Sequence, residues 1–516
     1  MTSRTAEPLL ITPSFENPSP FAQSWAGVVN IDQFKWLSWA KVQEALDMAR
    51  TEIGAHTVRA VGMYGVANRV FDKDPRGFKQ PEHRGLRSNF SQLHTYFDGC
   101  IERGITPMFT TCFTPEAMAT GDKKVFDGTA GSVHPPRDYV WWESFVEASV
   151  REMAHRYGKA RMRDWLFEVW NESNLEGGFW VGGQEAWMKL WQHTFTAIKR
   201  VDKDFRIGGP STARGEWVGD LIDFGRANDC EPDYIITHCY NNDSDADQAL
   251  SPFDGPQSDR VSKSSNFASG VMRGVRNICD TRNYGGEIHW NEWGRSWFPC
   301  DAERESENEA AFIFKTMAEA HDMAEVFAYW NLSDIYNQVG YGRETFHGNY
   351  GMLNQQNIRK PAYLAHQLLC RFQENRFPVE IEGGSELVNA ICAGNNDTSQ
   401  VAVYAFQAPG GSPQAARRVT VDLDAAKPFH RPKLFRVTGS ENNAVARWRD
   451  AGEEPYLSAE DSRRWKESSA LREAPLRELS VEESDGRRRV SFELEGNGVA
   501  FLEWHHEPFV GSIYDC

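Results

Sequence analysis

Short apolar segments alternate with longer amphipathic segments over residues 25–370, and this alternation limits the chain to few folds. Short runs rich in β-branched and aromatic residues are typical of buried strands, whereas the longer segments have the periodicity of helices. Alternating strands and helices predict a parallel sheet built from βα units. Eight strands are predicted, at residues 25–30, 56–61, 106–113, 165–170, 206–209, 234–239, 287–292 and 326–331.

The number of units decides between two parallel-sheet folds. Eight strands, each followed by a helix, predict an α/β chain folded as a (β/α)8 barrel of the TIM type. An open sheet that binds a dinucleotide would carry a GxGxxG turn after a strand, and no strand here runs into one. We therefore expect a barrel over residues 21–372, preceded by an N-terminal segment, residues 1–20, that can join a second domain.

After residue 373 the pattern changes to short alternating strands separated by polar turns. This pattern is typical of an antiparallel β-sandwich, which we expect to form an accessory domain over residues 373–516. The charged stretch 447–487 is predicted to be a solvated loop or excursion rather than a binding tract. The predicted strands lie at residues 386–392, 400–407, 418–422, 433–438, 489–493 and 498–505.

Charge and composition narrow the classes of partner. The formal net charge is −17, whereas nucleic-acid binding needs clustered Lys and Arg, so no nucleic-acid partner is expected. No stretch approaches the length of a membrane span, and the first residues contain no secretory signal, so we expect a cytoplasmic protein without a membrane partner. The nine cysteines have neither CxxC nor zinc-like spacing, which predicts free thiols. The oligomeric state stays open.

Two strand-end glutamates are the candidate catalytic residues. In a (β/α)8 barrel the catalytic groups stand at the C-terminal ends of the strands. Glu172 follows the fourth predicted strand and Glu292 ends the seventh, each directly after an asparagine. A retaining glycosidase needs a general acid/base and a nucleophile about 5 to 5.5 Å apart. Because strands four and seven face each other, we predict that Glu172 is the acid/base and Glu292 the nucleophile. Glu168, deeper on the fourth strand, is expected to have a structural polar role.

The segment LFEVWNESNLEGGFW resembles the acid/base motif of glycoside hydrolase family 39, which contains β-xylosidases and α-L-iduronidases. The segments IGGPS, DYIITHCY, AYWNLSDIY and FHGNYGML follow in the family's order, so the resemblance covers the whole barrel. It implies a retaining hydrolase with an oligosaccharide substrate and a trailing sandwich. No cofactor and no metal are expected, because the chain has no HExxH motif and no clustered His and Asp.

The resemblance also implies roles for the residues around the two glutamates. Asn171 would hydrogen-bond the sugar 2-hydroxyl, and Arg59 would keep the nucleophile ionised. His238 and Tyr240 would orient the nucleophile and the sugar. The remaining substrate-binding candidates are Phe113, Trp180 and Trp330 as walls of the pocket, and Asn337 at the terminal sugar.

Three positions depart from the family's pattern. Ser173 stands where the family usually has proline, and Val61 stands where it has a sugar-contacting histidine. Asn337-Gln338 stands where β-xylosidases have an acidic pair that contacts xylose. Losing a buried partner of a sugar hydroxyl can change selectivity by orders of magnitude. Release of terminal β-D-xylose from xylo-oligosaccharides, by an exo-acting double displacement, is the leading hypothesis for function.

Several alternatives stay open. Within the enzyme class they are an α-L-arabinofuranosidase, a β-glucosidase and a disaccharide-releasing exo-glycosidase. A uronic acid is less expected, because the pocket candidates other than Arg59 are neutral or acidic. The alternative of another class is a non-catalytic carbohydrate-binding barrel, which predicts the loss of one catalytic carboxylate, whereas both are present.

Overall fold

The structure is a computed structural model that describes residues 6–73, 86–126, 128–245, 267–338, 342 and 344–508. The strands are β1 (Leu9–Pro13), β2 (Ser19–Pro20), β3 (Val28–Gln33), β4 (Thr57–Val61), β5 (Phe71–Lys73), β6 (Leu86–Ser88), β7 (Thr106–Pro107), β8 (Phe109–Thr110), β9 (Leu166–Glu168), β10 (Arg206–Ala213), β11 (Tyr234–Tyr240), β12 (Glu287–Gly294), β13 (Val326–Tyr329), β14 (Asn375–Phe377), β15 (Val379–Glu382), β16 (Val388–Gly394), β17 (Thr398–Ala405), β18 (Arg417–Asp424), β19 (His430–Val437), β20 (Ser480–Ser484), β21 (Arg487–Leu494) and β22 (Gly498–His505). The α-helices are α1 (Ala40–Ile53), α2 (Ser91–Ile101), α3 (Tyr139–Tyr157), α4 (Lys159–Met162), α5 (Gly183–Val201), α6 (Val218–Ala227), α7 (Phe267–Thr281), α8 (Glu307–Ala320), α9 (Pro361–Leu369), α10 (Ala444–Asp450) and α11 (Ala459–Ser468).

Two parallel sheets form a curled surface before residue 330. Their strand orders are β3-β4-β7 and β8-β9-β10-β11-β12-β13, and only Met108 separates β7 from β8. At the other edge the chain returns to β3. The backbone N–H of Phe327 donates to the carbonyl of Ser24 at 2.7 Å, and that of Leu332 donates to the carbonyl of Asn30 at 2.9 Å. The first and last of these strands therefore meet.

Helix α3 illustrates how the sequence forms the outer layer. Asp138 precedes the helix, and its carboxylate accepts the backbone N–H groups of Val140 at 2.9 Å and Trp141 at 3.2 Å, which satisfies free donors of the first turn. The buried residues Trp142 and Phe145 begin an apolar stripe at helical spacing. This stripe faces the core, and α3 packs beside α5.

The second part of the fold consists of two further sheets. Their strand orders are β15-β1-β18-β21-β20 and β19-β22-β17-β16-β14-β2. Ile11 and Val421 of one sheet belong to the same buried apolar cluster as Val403 and Leu502 of the other. Described neighbours pair antiparallel, except that β1 and β18 run parallel. The first sheet is therefore mixed, where the sequence predicted only antiparallel strands.

The charged stretch 447–487 is a folded excursion and not a loop, so the loop alternative was wrong. It contains the end of α10, all of α11 and all of β20. In α10, Trp448 is buried and its ring lies 5.5 Å from that of Phe346. In α11 no residue is buried, and Ser458 caps the helix by accepting the N–H of Asp461 at 3.0 Å. In α11 the one large apolar side chain is Trp465, so charge dominates the sequence pattern, which explains why the helix was not predicted.

The N-terminal strand and a group of aromatic rings connect the two parts. β1 lies between β15 and β18, and β2 pairs with β14. The ring of Phe372 lies 5.0 Å from that of Phe501, and the ring of Phe312 lies 5.8 Å from that of Phe406. One apolar cluster therefore runs from the parallel sheets into the sheet that contains β17 and β22.

Two further expectations can be compared with the described residues. The eight cysteines within them are all free thiols, as predicted. None of the helices found there has the length and apolar character needed to cross a bilayer.

Candidate active site

Glu172 and Glu292 line one pocket of about 410 Å³ at the C-terminal ends of the parallel strands. Glu172 lies in the loop after β9, and Glu292 lies in β12. A carboxylate oxygen of each glutamate and a ring nitrogen of His238 lie within 4.8 Å of one another. Retaining glycosidases hold their carboxyl groups about 5 to 5.5 Å apart, whereas inverting enzymes keep about 6.5 to 9.5 Å. The observed separation fits the retaining geometry.

The backbone around Glu172 is held in an uncommon conformation. Trp170 has φ of 72° and Glu172 has φ of 46°, a region that non-glycine residues seldom adopt. The N–H of Glu172 donates to the carbonyl of Ser211 on β10 at 2.7 Å, which fixes the loop against the neighbouring strand. Such strain persists only where the surroundings enforce it, and it is common at active sites.

Arg59 on β4 joins the two glutamate-bearing strands. Its guanidinium is fully buried, and Nη1 donates to Oε1 of Glu292 at 2.5 Å. Nη2 donates to Oδ1 of Asn171 at 2.6 Å, and Nε donates to Oε2 of Glu168 at 2.8 Å. Burial would lower the pKa of Arg59, but the charges of Glu168 and Glu292 outweigh burial and raise it. Arg59 is therefore a permanent cation between two carboxylates.

Glu168 supports this arrangement from below the pocket. It is fully buried and also accepts from the hydroxyl of Thr110 at 2.9 Å and from Nδ2 of Asn291 at 2.8 Å. Burial would raise the pKa of Glu168, but the charge and hydrogen bonds of Arg59 outweigh burial and lower it. None of these three partners of Glu168 lines the pocket, so Glu168 contributes to the site by holding Arg59 in place.

His238 and Tyr240, both on β11, contact the two glutamates. Nδ1 of His238 lies 3.0 Å from Oε1 of Glu172 and 3.7 Å from Oε2 of Glu292. Burial would lower the pKa of His238, but the charges of Glu292 and Glu172 raise it. The hydroxyl of Tyr240 donates to Oε2 of Glu292 at 2.8 Å. Burial and the charge of Glu292 raise the pKa of Tyr240 well above its usual value, so the phenol keeps its proton.

The aromatic residues predicted to wall the pocket fall into two groups. Trp330 lines the pocket. Phe113 and Trp180 are fully buried and pack against Trp170, with ring centroids 5.3 Å and 4.8 Å from it. The structure therefore places these two rings behind the wall, where they cannot contact a ligand, and Phe179 lines the pocket instead.

At the end of β13 the pocket-lining residue differs from the predicted one by one position. Asn337 does not line the pocket, and its Oδ1 accepts from Nε2 of Gln33 at 3.0 Å. Gln338 lines the pocket. Its Nε2 donates to Oδ1 of Asp32 on β3 at 2.9 Å, and its Oε1 accepts from the hydroxyl of Tyr336 at 2.9 Å. Both ends of the Gln338 amide are thus fixed.

Sequence reasoning missed several lining residues that lie in loops beyond the strand ends. Asp243 is the most notable, because its carboxylate accepts the backbone N–H of Tyr240 at 2.7 Å. Burial raises the pKa of Asp243 to about 7, and the charge of Glu172 adds to the rise. A polar loop without a motif gave no signal for this residue. The other missed lining residues are Phe126, Leu175, Phe179, Ala213, Arg214, Trp297, Pro299, Tyr336 and Tyr350.

Within the described residues, Glu172, His238 and Glu292 are also the one group whose side chains stand close enough to hold a metal ion. Arg59 already neutralises Glu292, and the raised pKa of His238 favours a protonated ring. A ligand for a metal must be an unprotonated imidazole or a free carboxylate. The group therefore suits proton transfer better than metal binding.

Comparison with known proteins agrees with this geometry. The family model for glycosyl hydrolases family 39 matches residues 12–482. The chain is 30% identical over 425 residues to a β-xylosidase of Caldicellulosiruptor saccharolyticus, which covers 81% of this chain and 82% of the relative. It is 25% identical to a β-xylosidase of Geobacillus stearothermophilus, over 67% of this chain and 68% of the relative. The crystal structure of a monomeric β-xylosidase from Caulobacter crescentus CB15 has a TM-score of 0.81 at 23% identity, covering 96% and 99% of the two chains.

Proposed function

Because this chain belongs to glycosyl hydrolase family 39 and is a glycoside hydrolase, we propose that Glu172 and Glu292 make it a retaining exo-β-xylosidase. The observation that carries the proposal is the approach of the two carboxylates to within 4.8 Å in a pocket. The β-xylosidase relatives support xylose as the terminal sugar.

In the first step a carboxylate oxygen of Glu292 forms a bond to the anomeric carbon of the terminal sugar. The bond from that carbon to the glycosidic oxygen breaks, and Glu172 gives its proton to the departing oxygen. Arg59 and Tyr240 hold the two oxygens of Glu292, which orients the nucleophile. The positive charge of Arg59 also keeps the attacking group ionised.

In the second step water replaces the departed sugar chain. Glu172, now a carboxylate, takes a proton from the water, whose oxygen attacks the anomeric carbon and releases Glu292. His238 lies between the two glutamates, 3.0 Å from one and 3.7 Å from the other, and can hold Glu172 in place while its proton leaves and returns. Asn171 forms no hydrogen bond through Nδ2 among the described residues, which supports donation from this group to the 2-hydroxyl.

The choice of terminal sugar rests on the two departures from the family pattern. Val61 and Gln338 both line the pocket. Gln338 is neutral, but it is held by the buried carboxyl of Asp32, so an acidic group stands behind the amide. We propose that Gln338 contacts a sugar hydroxyl in place of the family's acidic residue. The isopropyl group of Val61 suits the compact, neutral ring of xylose.

We also propose the fold and domains that support this site. The return of the chain from β13 to β3 supports a closed (β/α)8 barrel over residues 21–372. The shared core of the two sheets that contain β1 and β22 supports an accessory β-sandwich over residues 373–516. The pairing of β1 and β2 supports an N-terminal segment, residues 1–20, that joins the sandwich. A cytoplasmic location stays a prediction from the sequence.

The proposal is tested with Glu172→Gln and Glu292→Gln on xylobiose, whose leaving group is a sugar that needs the proton. Glu172→Gln should lower kcat/KM roughly 100- to 10,000-fold, because it removes general acid/base catalysis. Glu292→Gln should leave no measurable turnover, because the nucleophile is gone. Glu176→Gln is the matched control, since Glu176 is exposed on the same loop and lies outside the pocket.

Two further measurements complete the test. A 2-deoxy-2-fluoro-β-xyloside with a good leaving group should trap a covalent adduct that peptide mass mapping assigns to Glu292. Faster hydrolysis of the 4-nitrophenyl arabinofuranoside or glucoside than of the xyloside would contradict the choice of xylose. An inverted product anomer would contradict the retaining mechanism.

A further inference from the structure

Two adjacent aromatic rings stand at the open side of the pocket. Trp297 and Phe298 are 42% and 54% exposed, and they are stacked with centroids 4.5 Å apart and planes 14° apart. We call this pair the aromatic platform. Each ring covers one face of the other, so one outer face of each ring stays open. Large exposed apolar groups beside a polar site commonly mark a binding surface.

The backbone under the platform is held by buried polar groups. The N–H of Trp297 donates to Oδ1 of Asn242 at 3.0 Å, and the N–H of Phe298 donates to Oγ of Ser296 at 3.2 Å. Arg304 is buried, and its guanidinium donates to the carbonyl of Ser296 at 2.7 Å and to that of Phe298. The platform is therefore a fixed surface, and a ligand need not order it before binding.

The position of the platform identifies the part of the substrate that it faces. Trp297 and Pro299 line the same pocket as Glu172 and Glu292. Both glutamates are buried, whereas Trp297 opens to solvent. In an exo-acting enzyme the terminal sugar occupies the buried part of the pocket, so the rest of the chain leaves toward the open side. The platform therefore faces the sugars beyond the bond that is cleaved.

The chemistry of the platform fits a neutral pyranose. A xylopyranose ring has equatorial hydroxyls and two faces of C–H groups, and the faces of aromatic rings carry partial negative charge that attracts C–H groups. We infer that the open face of Trp297, backed by Phe298, forms an aglycone-binding site on which the second sugar of a xylo-oligosaccharide stacks. This inference rests on the proposed xylosidase function and adds a preference for substrates whose leaving group is a sugar.

The experiment compares substrates that do and do not reach the platform. Trp297→Ala and Phe298→Ala are assayed for kcat/KM on xylotetraose, xylobiose and β-D-xylosyl fluoride, whose leaving group is a single atom. We expect Trp297→Ala to lower kcat/KM about tenfold on xylotetraose and xylobiose and less than about twofold on the fluoride. Phe298→Ala removes only the backing ring, so its effect on the two oligosaccharides should be smaller. Trp297→Phe should recover most of the xylotetraose rate, because it keeps a stacking face.

Trp39→Ala is the matched control. Trp39 is also about half exposed, but it packs against Trp36 and does not line the pocket, so all three substrates should be cleaved as by the unaltered enzyme. Equal losses on all substrates in the platform variants would overturn the inference, because they would indicate a structural role. Unchanged rates on xylotetraose would overturn it too. Failure of the unaltered enzyme to cleave xylosyl fluoride would contradict the proposed function, and with it this inference.

Discussion

Single residues carry the electrostatics of the pocket, and Arg59 connects most of them. The sequence predicted that Arg59 serves the nucleophile, and the contact with Glu292 agrees with this position. The sequence did not predict that the same guanidinium also holds Asn171 and Glu168. These partners lie 112 and 109 positions along the chain, and only the curled sheet brings them together. One side chain thus aligns Glu292 with Asn171, the neighbour of Glu172.

Other residue assignments failed for a local reason. In a strand, alternation indicates which side chains face inward, but no such rule holds in the loops that follow. The pocket therefore receives Gln338 where Asn337 was predicted, and Asp243 was not found at all. Phe113 and Trp180 were placed correctly near the site, but their depth behind Phe179 depends on packing that the sequence pattern does not encode.

Asp243 gives a prediction at the residue scale. Its folded pKa of about 7 lies above the unfolded value of 3.8, so the bound proton stabilises the folded state. This stabilisation is fully present below about pH 4 and is lost as the pH rises to about 7. The asparagine of Asp243→Asn does not titrate, so the variant does not lose stability in this way as the pH rises. The side-chain oxygen of the asparagine can still accept the N–H of Tyr240. Relative to the unaltered enzyme, its free energy of unfolding should rise by on the order of 4 kcal/mol between pH 4 and 7.

Urea unfolding of both proteins at half-unit pH steps measures this difference. Asp122→Asn, an exposed carboxyl outside the pocket, is the control for loss of one surface charge. A difference that stays constant over this pH range would show that Asp243 does not hold a proton in the folded enzyme.

Among the elements, the strands of the parallel sheets were the most predictable. Each of these nine described strands overlaps one of the eight predicted ranges, with β7 and β8 both in 106–113, because a strand buried on both faces is a continuous apolar run bounded by turns. The described strands that were not predicted are β1, β2, β5, β6, β14, β15 and β20. They are short or lie at sheet edges, or take their partners from distant parts of the chain, so a local pattern could not reveal them.

Strand β1 gives a prediction at the element scale. Ile11 is fully buried between the sheet that contains β1 and the sheet that contains β22, whereas the neighbouring Leu10 is only partly buried. Ile11→Ala should lower the free energy of unfolding by about 2 to 5 kcal/mol, because it leaves a cavity in the shared core. Leu10→Ala should cost less. Urea unfolding compares the two variants, and equal losses would mean that β1 does not hold its place in this core.

For the whole molecule, the continuity of the apolar core predicts cooperative unfolding. Phe372 and Phe501 lie in one buried cluster although they come from the two parts of the fold. Calorimetry should therefore show a single transition, and Phe501→Ala should lower its midpoint without dividing it. Two separate transitions in the unaltered enzyme would contradict this view, because they would show that the two sheets containing β1 and β22 unfold on their own.

The place of β1 also has a consequence for the order in which the enzyme matures. Leu9–Pro13 is made long before its hydrogen-bonding neighbours, which begin at Val379 and Arg417. Until those residues have left the ribosome, this strand lacks the partners that it has in the folded chain. Its insertion is therefore among the last events of assembly, and a nascent chain that stalls before residue 379 carries β1 without either neighbour.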